Sequence, residues 1–413
     1  MAAAIELTQA ERHSSRSIVI AQSCSKLADV ASSAKTVLTW LMGSVGAPPG
    51  FVGLLVPIRE SGSMLPQAFL SGLVKRSALR KRVFVIGAVG QALALGAMAL
   101  CSLMLNGLIA GVAIVGLLVV HALSRCLCSI ASKDVLGKAV PKGARGRVSG
   151  IASAVAGLFG LGGALVFMFG IDRDASRSLL AGLLFGGGVL YVLAAVSIAT
   201  VNEEPSSDDP PEDLVADLWR RLAMVWTDKV LRKFVIARSL LLGSALGSPY
   251  IVVLSQSQGQ GVKALAAFVF AGGLASTLSA VLWGKLSDRS SRSSMALGGA
   301  VAALMGLAAV VVAQWFPEIA ASRWTWPLLF FLMSTGYEGV RIGRKTYVVD
   351  ISEGADRTDY VSASNTIIAI VLLGFGAIGA LLQVLGPTAA LLMFSVVCLL
   401  GSGLALRLKC ATS

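Results

Sequence analysis

Charged and polar side chains recur at helical spacing inside segments of this sequence that are otherwise apolar. The first such segment carries Gln22, Lys26, Asp29 and Ser33, three or four residues apart, with Lys35 close by. Residues at this spacing share one face of a helix. Other apolar segments contain comparable groups, which are Arg59, Glu60, His121, Arg125, Arg238, Glu338, Arg341, Arg344 and Lys345.

We expect these charged side chains to face a water-filled cavity or to pair with each other, because a charge that faces lipid would cost too much free energy. Insertion scales give roughly 2.5–3.5 kcal/mol for one charge at the centre of a membrane helix. Six such charges in lipid would cost on the order of 15–20 kcal/mol, more than the net stability of a typical protein. We therefore expect the candidate substrate- or ion-binding residues to line a cavity, and these are Lys26, Asp29, Arg59, Glu60, Arg125, Arg238, Glu338 and Arg341.

A purely structural interpretation of the same residues stays open at this stage. Lys26 could neutralise Asp29, and Arg59 could neutralise Glu60, since each pair is close in sequence. Long basic side chains near a helix end can also reach the membrane surface. The residues to which this second explanation applies are Arg341, Arg344 and Lys345.

The sum of the deep charges favours a negatively charged substrate. The cations are Lys26, Lys35, Arg59, Arg125, Arg238 and Arg341, and the acids are Asp29, Glu60 and Glu338. Few aromatic residues share these faces, unlike the pockets expected for lipophilic drugs. We predict a small organic anion or zwitterion as the substrate, and any of the three acids could carry a coupled proton.

Composition argues against several other classes of protein. Hydrophobic residues make up 55% of the chain and charged residues 14%, whereas soluble domains carry about 25% charged residues. The net charge of +13 is spread in short clusters between apolar segments, which does not predict nucleic-acid binding. The sequence shows no nucleophile–base pair, phosphate-binding loop, metal constellation or disulfide pattern. We expect no enzyme activity, no cofactor and no metal.

Twelve apolar segments are long enough to cross a bilayer, and they predict spans one to twelve in chain order. Lipid requires each span to be helical, since a backbone without water must satisfy its own hydrogen bonds. The predicted spans are 17–43, 51–74, 83–105, 108–132, 147–170, 178–200, 233–256, 264–286, 294–315, 325–348, 360–383 and 386–407.

The loops predict that both termini lie in the cytoplasm, because the basic loops 75–82 and 138–147 belong on that side. The longest polar stretch, 201–232, begins acidic and Pro-rich and continues with apolar residues at helical spacing over 214–231. We expect an amphipathic helix there on the inner membrane surface. The predicted organisation is a six-helix bundle at 1–200, a cytoplasmic linker at 201–232 and a second six-helix bundle at 233–413, as a monomer in a bacterial inner membrane.

The two halves of the sequence resemble each other at a fixed offset. Lys26 in span one corresponds to Arg238 in span seven, and Gly72 after span two corresponds to Gly284 after span eight. Both pairs are 212 residues apart (238 − 26 and 284 − 72). Two further pairs recur at nearly the same offset, namely Lys133 with Lys345 and Ser149 with Ser362. The agreement predicts two parallel repeats about an axis along the membrane normal.

The segment after span eight resembles the signature G-x-x-x-D-R/K-x-G-R-R/K of the major facilitator superfamily. It contains Gly284, Asp288, Arg289 and Arg292, with Ser291 where the signature has Gly. The resemblance extends over residues 17–407. It implies an all-α membrane protein of twelve transmembrane helices in two six-helix bundles that acts as a secondary transporter by alternating access.

The resemblance also implies a conformational latch on the cytoplasmic side, formed by the four signature residues after span eight. The corresponding copy after span two has Arg76 where the acid belongs, so we do not extend the latch to it. Arg125 resembles the span-four arginine of the family, and span five lacks the Pro of the antiporter pattern. The direction of transport therefore stays open. The alternatives are an exporter of amphiphilic drugs and a membrane sensor or scaffold that does not transport.

Overall fold

The computed structural model describes residues 8–67, 70, 74, 77–141, 144–170, 177–205, 214–259, 262–351 and 356–409, and the regular elements in these ranges are all helical. The first half of the chain forms α1 (Gln9–Ala31), α2 (Val37–Ser44), α3 (Gly50–Met64), α4 (Arg80–Met104), α5 (Gly107–Ala139), α6 (Arg145–Gly170) and α7 (Arg177–Ala199). The connecting helix is α8 (Leu214–Thr227).

The second half of the chain continues the helical pattern. It consists of α9 (Lys229–Leu240), α10 (Gly243–Leu246), α11 (Ser248–Ser257), α12 (Val262–Arg289), α13 (Ser291–Trp315), α14 (Pro317–Ala321), α15 (Thr325–Asp350), α16 (Asp356–Leu382), a 3-10 turn (Gln383–Leu385) and α17 (Pro387–Leu406). Span one comprises α1 and α2, span seven comprises α9 to α11, and α8 and α14 are not spans.

The predicted fold class is confirmed: the chain is an all-α membrane protein with twelve spans in two six-helix bundles. Nine stretches in the described ranges are long and apolar enough to cross a bilayer. The other three spans contain breaks or charges, as in α15 with Glu338, Arg341, Arg344 and Lys345. The domain boundaries at 200 and 233 stay a prediction.

Spans one and seven are interrupted near their middle, which the apolar pattern did not predict. Span one breaks between Ala31 and Val37, and span seven breaks after Leu240 and again at Gly247. In span one the Ser32 hydroxyl donates to the Ala28 carbonyl (2.9 Å). In span seven the Ser244 hydroxyl donates to the Leu241 carbonyl (2.7 Å). Serine hydroxyls that bond back to the preceding turn compete with the helical ladder and bend helices.

The first helix begins earlier than the predicted span, at Gln9 rather than at residue 17. Thr8 and Glu11 form a capping box, in which the Thr8 side chain accepts from the Glu11 N–H and the Glu11 carboxylate accepts from the Thr8 N–H. This arrangement satisfies two backbone donors that a helix start leaves free. The first two turns of α1 therefore extend the helix beyond the apolar segment.

Helices within each half pack at close range. In the first half α4 packs on α5 and α7, and α1 packs on α6 and α7. In the second half α13 packs on α15 and α17, and α12 packs on α15. The α13–α15 crossing requires glycine, because a Cβ at Gly336 would lie 2.6 Å from the backbone nitrogen of Ala302. Small residues at such crossings are the usual means by which membrane helices approach closely.

The two halves meet through α3 with α16 and through α6 with α12. We call the end of the bundle that carries residues 45–49 the loop end, and the end that carries Gln9 and Leu408 the terminal end. At the loop end, the Gln256 side chain donates to the Trp40 carbonyl (3.1 Å). A Cβ on Gly53 would lie 2.6 Å from the backbone nitrogen of Ala380. The loop end is therefore closed.

Candidate functional site

The charged residues of the first half form a cluster around Asp29 on α1. Arg59 on α3 places Nη2 2.7 Å from Asp29 Oδ1, and the Tyr191 hydroxyl donates to the same oxygen at 3.0 Å. Arg59 also donates to the Ser32 carbonyl at the break in span one. Only 5% of Arg59 is exposed, so the Asp29 carboxylate supplies the charge that this buried guanidinium needs.

Arg125 on α5 bridges the two acids of the first half. Its Nη2 lies 3.7 Å from Asp29 Oδ2, and its Nη1 lies 3.7 Å from Glu60 Oε1. These separations are longer than a charge-assisted hydrogen bond, which is usually 2.7–2.9 Å. Arg125 and Glu60 thus retain bonding capacity toward a ligand.

The pairing differs from the neutral pairs that the sequence left open. The Lys26 ammonium donates to the Ser153 hydroxyl on α6, while Asp29 contacts Arg59 and Arg125. Adjacent residues on a helix point about 100° apart, so Arg59 cannot meet Glu60 across its own helix. Contacts from neighbouring helices determine the partner of each charge.

Arg238 of span seven is held differently, by neutral partners on α16. Its Nη1 donates to the Ser364 hydroxyl (3.0 Å) and its Nη2 donates to the Asn365 side-chain oxygen (2.8 Å). Arg238 is 7% exposed, and its Nε has no hydrogen-bond partner in the part of the chain that the structure describes. No acidic side chain among the described residues forms an ion pair with it.

The remaining acid, Glu338 on α15, is paired within its own helix. Arg341, one turn later, places Nε 2.6 Å and Nη2 2.5 Å from Glu338 Oε2. This i, i+3 pair leaves Glu338 buried, with the Arg341 side chain partly exposed. Glu338 and Arg341 therefore share one face of α15, and Arg341 neutralises the charge of Glu338.

The cations of spans one and seven occupy equivalent places in the two repeats. Lys26 contacts Ser153 of span five, and Arg238 contacts Asn365 of span eleven. Both the cations and their partners are 212 residues apart (238 − 26 and 365 − 153). The equivalence of the contacts extends the sequence repeat to three dimensions.

A central cavity lies between the two halves at the level of these charges. One part, of about 290 Å³, is lined by charged and aromatic residues and by small residues of α6 and α12 that leave it room. An adjoining narrow part lies between α3, α10 and α15. The charged and tyrosine residues that line the two parts are Asp29, Lys35, Tyr337 and Glu338 in the first, and Glu60, Arg238, Tyr337, Arg341 and Arg344 in the second. Three residues that we expected to line the cavity, Lys26, Arg59 and Arg125, line neither part.

Tyr337 joins the two parts of the cavity and was not predicted. The Lys35 ammonium of the first half lies 3.3 Å from the centroid of the Tyr337 ring in the second half. Such a cation–π contact attracts the ammonium to the ring face. The sequence contained one signal for this residue, since it lies next to Glu338 in a segment already marked by charges. The partners Ser364 and Asn365 were also missed. The 212-residue offset relates Asn365 to Ser153, but nothing in the sequence marked Ser153 itself.

His121 on α5 lies beside this cluster. The ring is fully buried and stands edge-on to Tyr191, with 5.7 Å between ring centroids. Both of its ring nitrogens are without a hydrogen-bond partner among the residues described. His121 therefore packs behind the Asp29 cluster as part of its wall.

The predicted latch residues lie at the terminal end of α12 and α13. Gly284 has open space around it, and Asp288 and Arg289 are exposed. Neither of these two charges forms an ion pair with any residue that the structure describes. Arg292 donates to the Leu408 carbonyl (3.0 Å) and so fixes the end of α17 to the start of α13. The residues Gly72 and Arg76 of the first copy lie outside the described ranges.

The described residues contain no group of three or more His, Cys, Asp or Glu side chains that could hold a metal ion. The cysteines described, Cys24, Cys101, Cys126, Cys128 and Cys398, are free thiols.

Comparison with known proteins supports this architecture. A family model for the Major Facilitator Superfamily matches residues 27–371. The chain is similar to a POT family transporter in complex with 5-aminolevulinic acid (TM-score 0.70, 11% identity, 95% of each chain covered). It is also similar to a D-xylose-proton symporter (TM-score 0.69, 15% identity, 96% of this chain and 98% of that chain covered). A third similar structure is the nucleoside transporter NupG (TM-score 0.69, 11% identity, 97% of this chain and 99% of that chain covered). No curated protein sequence matches the chain. Identities this low show a shared fold alone.

Proposed function

Because the chain belongs to the major facilitator superfamily and is a secondary transporter by fold, we propose that it moves a small organic anion or zwitterion by alternating access. The observation that carries the proposal is Arg238. This guanidinium lines the cavity, is buried, and is bonded in the described structure to a hydroxyl and an amide instead of a carboxylate.

A buried cation without a counter-ion is unfavourable, since the loss of water costs several kcal/mol and neutral partners restore only part of it. A carboxylate or phosphate entering the narrow part of the cavity would supply the missing charge. Arg344 lines the same part and adds to the positive potential, whereas the charge of Arg341 is compensated by Glu338. Binding of an anion there gains Coulomb energy that the empty site lacks.

A zwitterion would also find acceptors for its cationic group. Glu60 lines the narrow part of the cavity together with Arg238. Its nearest cation, Arg125, lies at 3.7 Å, so the carboxylate is not saturated by a short ion pair. An ammonium near Glu60 and a carboxylate near Arg238 would therefore bridge the two halves of the protein. This arrangement favours small solutes with both charges, alongside simple anions.

Asp29, Glu60 and Glu338 are our candidates for a coupled proton. Glu60 is the least tightly paired of the three, because Asp29 and Glu338 each accept a short hydrogen bond from an arginine. Flux driven by a pH gradient across vesicles, compared between wild type and Glu60→Gln, tests this point. Gradient-driven accumulation that survives in the variant would exclude Glu60 as the proton carrier.

Thermal stability of the purified protein against a panel of solutes tests the substrate class. We expect organic anions or zwitterions to raise the melting temperature of wild type, and Lys26→Gln or Arg238→Gln to abolish that rise. Lys233→Gln is the matched control, since Lys233 is an exposed cation on α9 outside the cavity. Stabilisation only by lipophilic cations, unchanged in Lys26→Gln and Arg238→Gln, would favour the exporter of amphiphilic drugs.

We further propose that the terminal end faces the cytoplasm of a bacterial cell, because the basic loops belong to that end. A cysteine introduced at Gly46 should then react with a membrane-impermeant reagent added outside intact cells. A cysteine at Glu204, which is exposed just after α7, should react only after lysis. The reverse pattern would overturn the orientation.

The latch at Gly284, Asp288, Arg289 and Arg292 stays part of the proposal. In a conformation with a closed loop end, the cytoplasmic gate is expected to be open, and the exposure of Asp288 and Arg289 agrees with a released latch. Asp288→Asn should insert normally and slow transport, since the closed form of the terminal end loses its acid. Unchanged flux in Asp288→Asn would reduce this segment to a solvated basic loop.

A further inference from the structure

A second basic site lies away from the central cavity, in a groove between the first turns of α1 and α6. The groove has a volume of about 420 Å³. We call it the basic groove, and its lining residues are Arg12, Ser15, Arg16, Val19, Ile20, Ala144, Arg147, Val148 and Ile151. On each helix these residues are three or four positions apart and so share one face.

The basic groove opens toward lipid and not toward the cavity. Ser153, which contacts Lys26 of span one, is two positions after Ile151 on α6. Residues two apart on a helix point about 200° apart, so Ile151 lies on the opposite side of α6. Ile20 is 53% exposed and Ile151 is 46% exposed. Exposed branched aliphatic residues on a membrane helix mark its lipid-facing surface.

The polar end of the groove carries unsatisfied groups. Arg16 and Arg147 are exposed and form no ion pair or hydrogen bond with the residues that the structure describes. Ser15 is 8% exposed, and its hydroxyl is without a hydrogen-bond partner in the described ranges. The nearest acid along α1, Glu11, is engaged in the capping box with Thr8. The groove thus presents cations and a buried hydroxyl beside an apolar wall.

We propose that the basic groove binds one anionic phospholipid from the membrane leaflet at the terminal end. Its phosphate contacts Arg16, Arg147 and the Ser15 hydroxyl, and one acyl chain lies along Ile20 and Ile151. Basic pockets between membrane helices are suited to anionic headgroups, and the apolar wall supplies binding that a free phosphate would not use. This site is independent of the proposed transport substrate.

Bound lipid would tie the start of span one to the start of span five. These two helices carry Lys26 and Ser153, and α6 also packs on α12 of the other half. A headgroup that bridges Arg16 and Arg147 therefore holds the base of the first half together where α6 moves against α12. The composition of the membrane would then affect the stability of the first half.

The test uses the full chain, purified in detergent and mixed with short-chain phosphatidylglycerol, short-chain phosphatidylcholine or inorganic phosphate. Thermal unfolding and native mass spectrometry report stabilisation and retained lipid. We expect phosphatidylglycerol to stabilise and to be retained, and the double variant Arg16→Gln/Arg147→Gln to bind it about tenfold or more weakly. The matched control is Arg82→Gln/Lys233→Gln, which removes two exposed cations outside the groove.

Ile151→Gln keeps every cation of the groove and interrupts its apolar wall, so it should also lower phosphatidylglycerol retention. This variant decides the matter if the double variant fails to fold. Equal stabilisation by phosphatidylcholine would overturn the proposal in favour of unspecific lipid contact. Equal stabilisation by inorganic phosphate would overturn it in favour of a free-anion site. Unchanged phosphatidylglycerol binding in the arginine and isoleucine variants would place the lipid elsewhere.

Discussion

Asp29 and Arg238 show two ways in which a membrane protein holds a charge in its interior. Asp29 forms an ion pair with Arg59 at 2.7 Å and lies 3.7 Å from Arg125, so its charge is compensated within one half of the protein. Arg238 is bonded to Ser364 and Asn365, and no acid pairs with it in the described part of the chain. We assign a stabilising role to the first and a binding role to the second.

The stabilising role of Asp29 predicts a strong effect on folding. Asp29→Asn leaves the buried Arg59 guanidinium without its counter-ion, and breaking a buried pair in this way costs about 3–5 kcal/mol. We expect a clearly lower melting temperature and a lower yield of folded protein. Glu60→Gln is the comparison, since it removes only a 3.7 Å contact with Arg125 and should cost much less. Equal melting temperatures of Asp29→Asn and wild type would contradict the assigned role.

The sequence indicated the residues of the site but not their partners. Charge in an apolar segment is visible in a single sequence, because its insertion cost forces a cavity or a pair. The partner is set by how α1, α3, α5 and α6 pack, which local spacing does not encode. Lys26 therefore meets Ser153 instead of Asp29, and Tyr337 entered the site unpredicted.

At the scale of helices, the ends of spans were easier to predict than their interruptions. Span twelve was expected at 386–407 and is formed by Pro387–Leu406, because a Gly-Pro start and a basic end bound the apolar run. The breaks in spans one and seven lie inside segments that were each predicted as one continuous span. The serines that bend the chain there, Ser32 and Ser244, are also 212 residues apart (244 − 32), so the repeat itself carried the signal.

The linker helix illustrates a boundary set by one side chain. The amphipathic segment was expected to run from Leu214 to Leu231, but α8 ends at Thr227 and α9 begins at Lys229. Asp228 separates them, since its carboxylate accepts from the backbone N–H groups of Val230 (2.7 Å) and Leu231 (3.2 Å). An acid in the N-cap position starts a new helix.

The Asp228 cap predicts a pH-dependent contribution to stability at the membrane boundary. Burial raises the pKa of this carboxyl, but hydrogen bonds from Tyr360, Leu231 and Val230 outweigh burial and hold the pKa below its usual 3.8. A lowered folded pKa means that the stabilisation is complete above pH 3.8 and is lost as the pH falls through the folded value. We expect Asp228→Ala to cost about 1 kcal/mol at neutral pH.

Thermal unfolding of wild type, Asp228→Ala and Asp228→Asn between pH 7 and pH 3 measures this contribution. The difference between wild type and the alanine variant should be constant near neutrality and should shrink only in the acid range. The asparagine variant retains a cap and should show no such pH dependence relative to alanine. A difference that is unchanged at the lowest pH would show that the carboxylate is not the stabilising group.

At the scale of the whole molecule, contacts between the described residues of the two halves close the loop end. Gln256 donates to the Trp40 carbonyl and Gln383 donates to the Pro49 carbonyl at 3.4 Å, both between the halves at the loop end. Alternating access requires these contacts to break when the cavity opens on that side. Gly50 and Gly53 lie so close to Ala380 at this end that an engineered disulfide can test whether the two halves separate there.

A disulfide between Gly50→Cys and Ala380→Cys should lock the loop end. The Cβ positions of these two residues lie 3.9 Å apart, within the range that a disulfide requires. In a background without native cysteines, oxidation should form the link and stop flux, and reduction should restore flux. The control pair Gly116→Cys/Ala380→Cys should not form a link, because Gly116 has open space around it. Full transport by the oxidised protein would contradict movement at the loop end.

Flux through the purified protein in lipid vesicles tests the central claim most directly, namely that Arg238 in the cavity binds the anionic group of a transported solute. The vesicles would contain wild type, Arg238→Gln or Lys233→Gln, and would be supplied with a labelled monocarboxylate, a labelled amino acid or labelled tetraphenylphosphonium. The account predicts uptake of an anion or zwitterion by wild type and Lys233→Gln, with at least a tenfold loss in Arg238→Gln. Uptake of tetraphenylphosphonium alone, at equal rates in all three proteins, would contradict it.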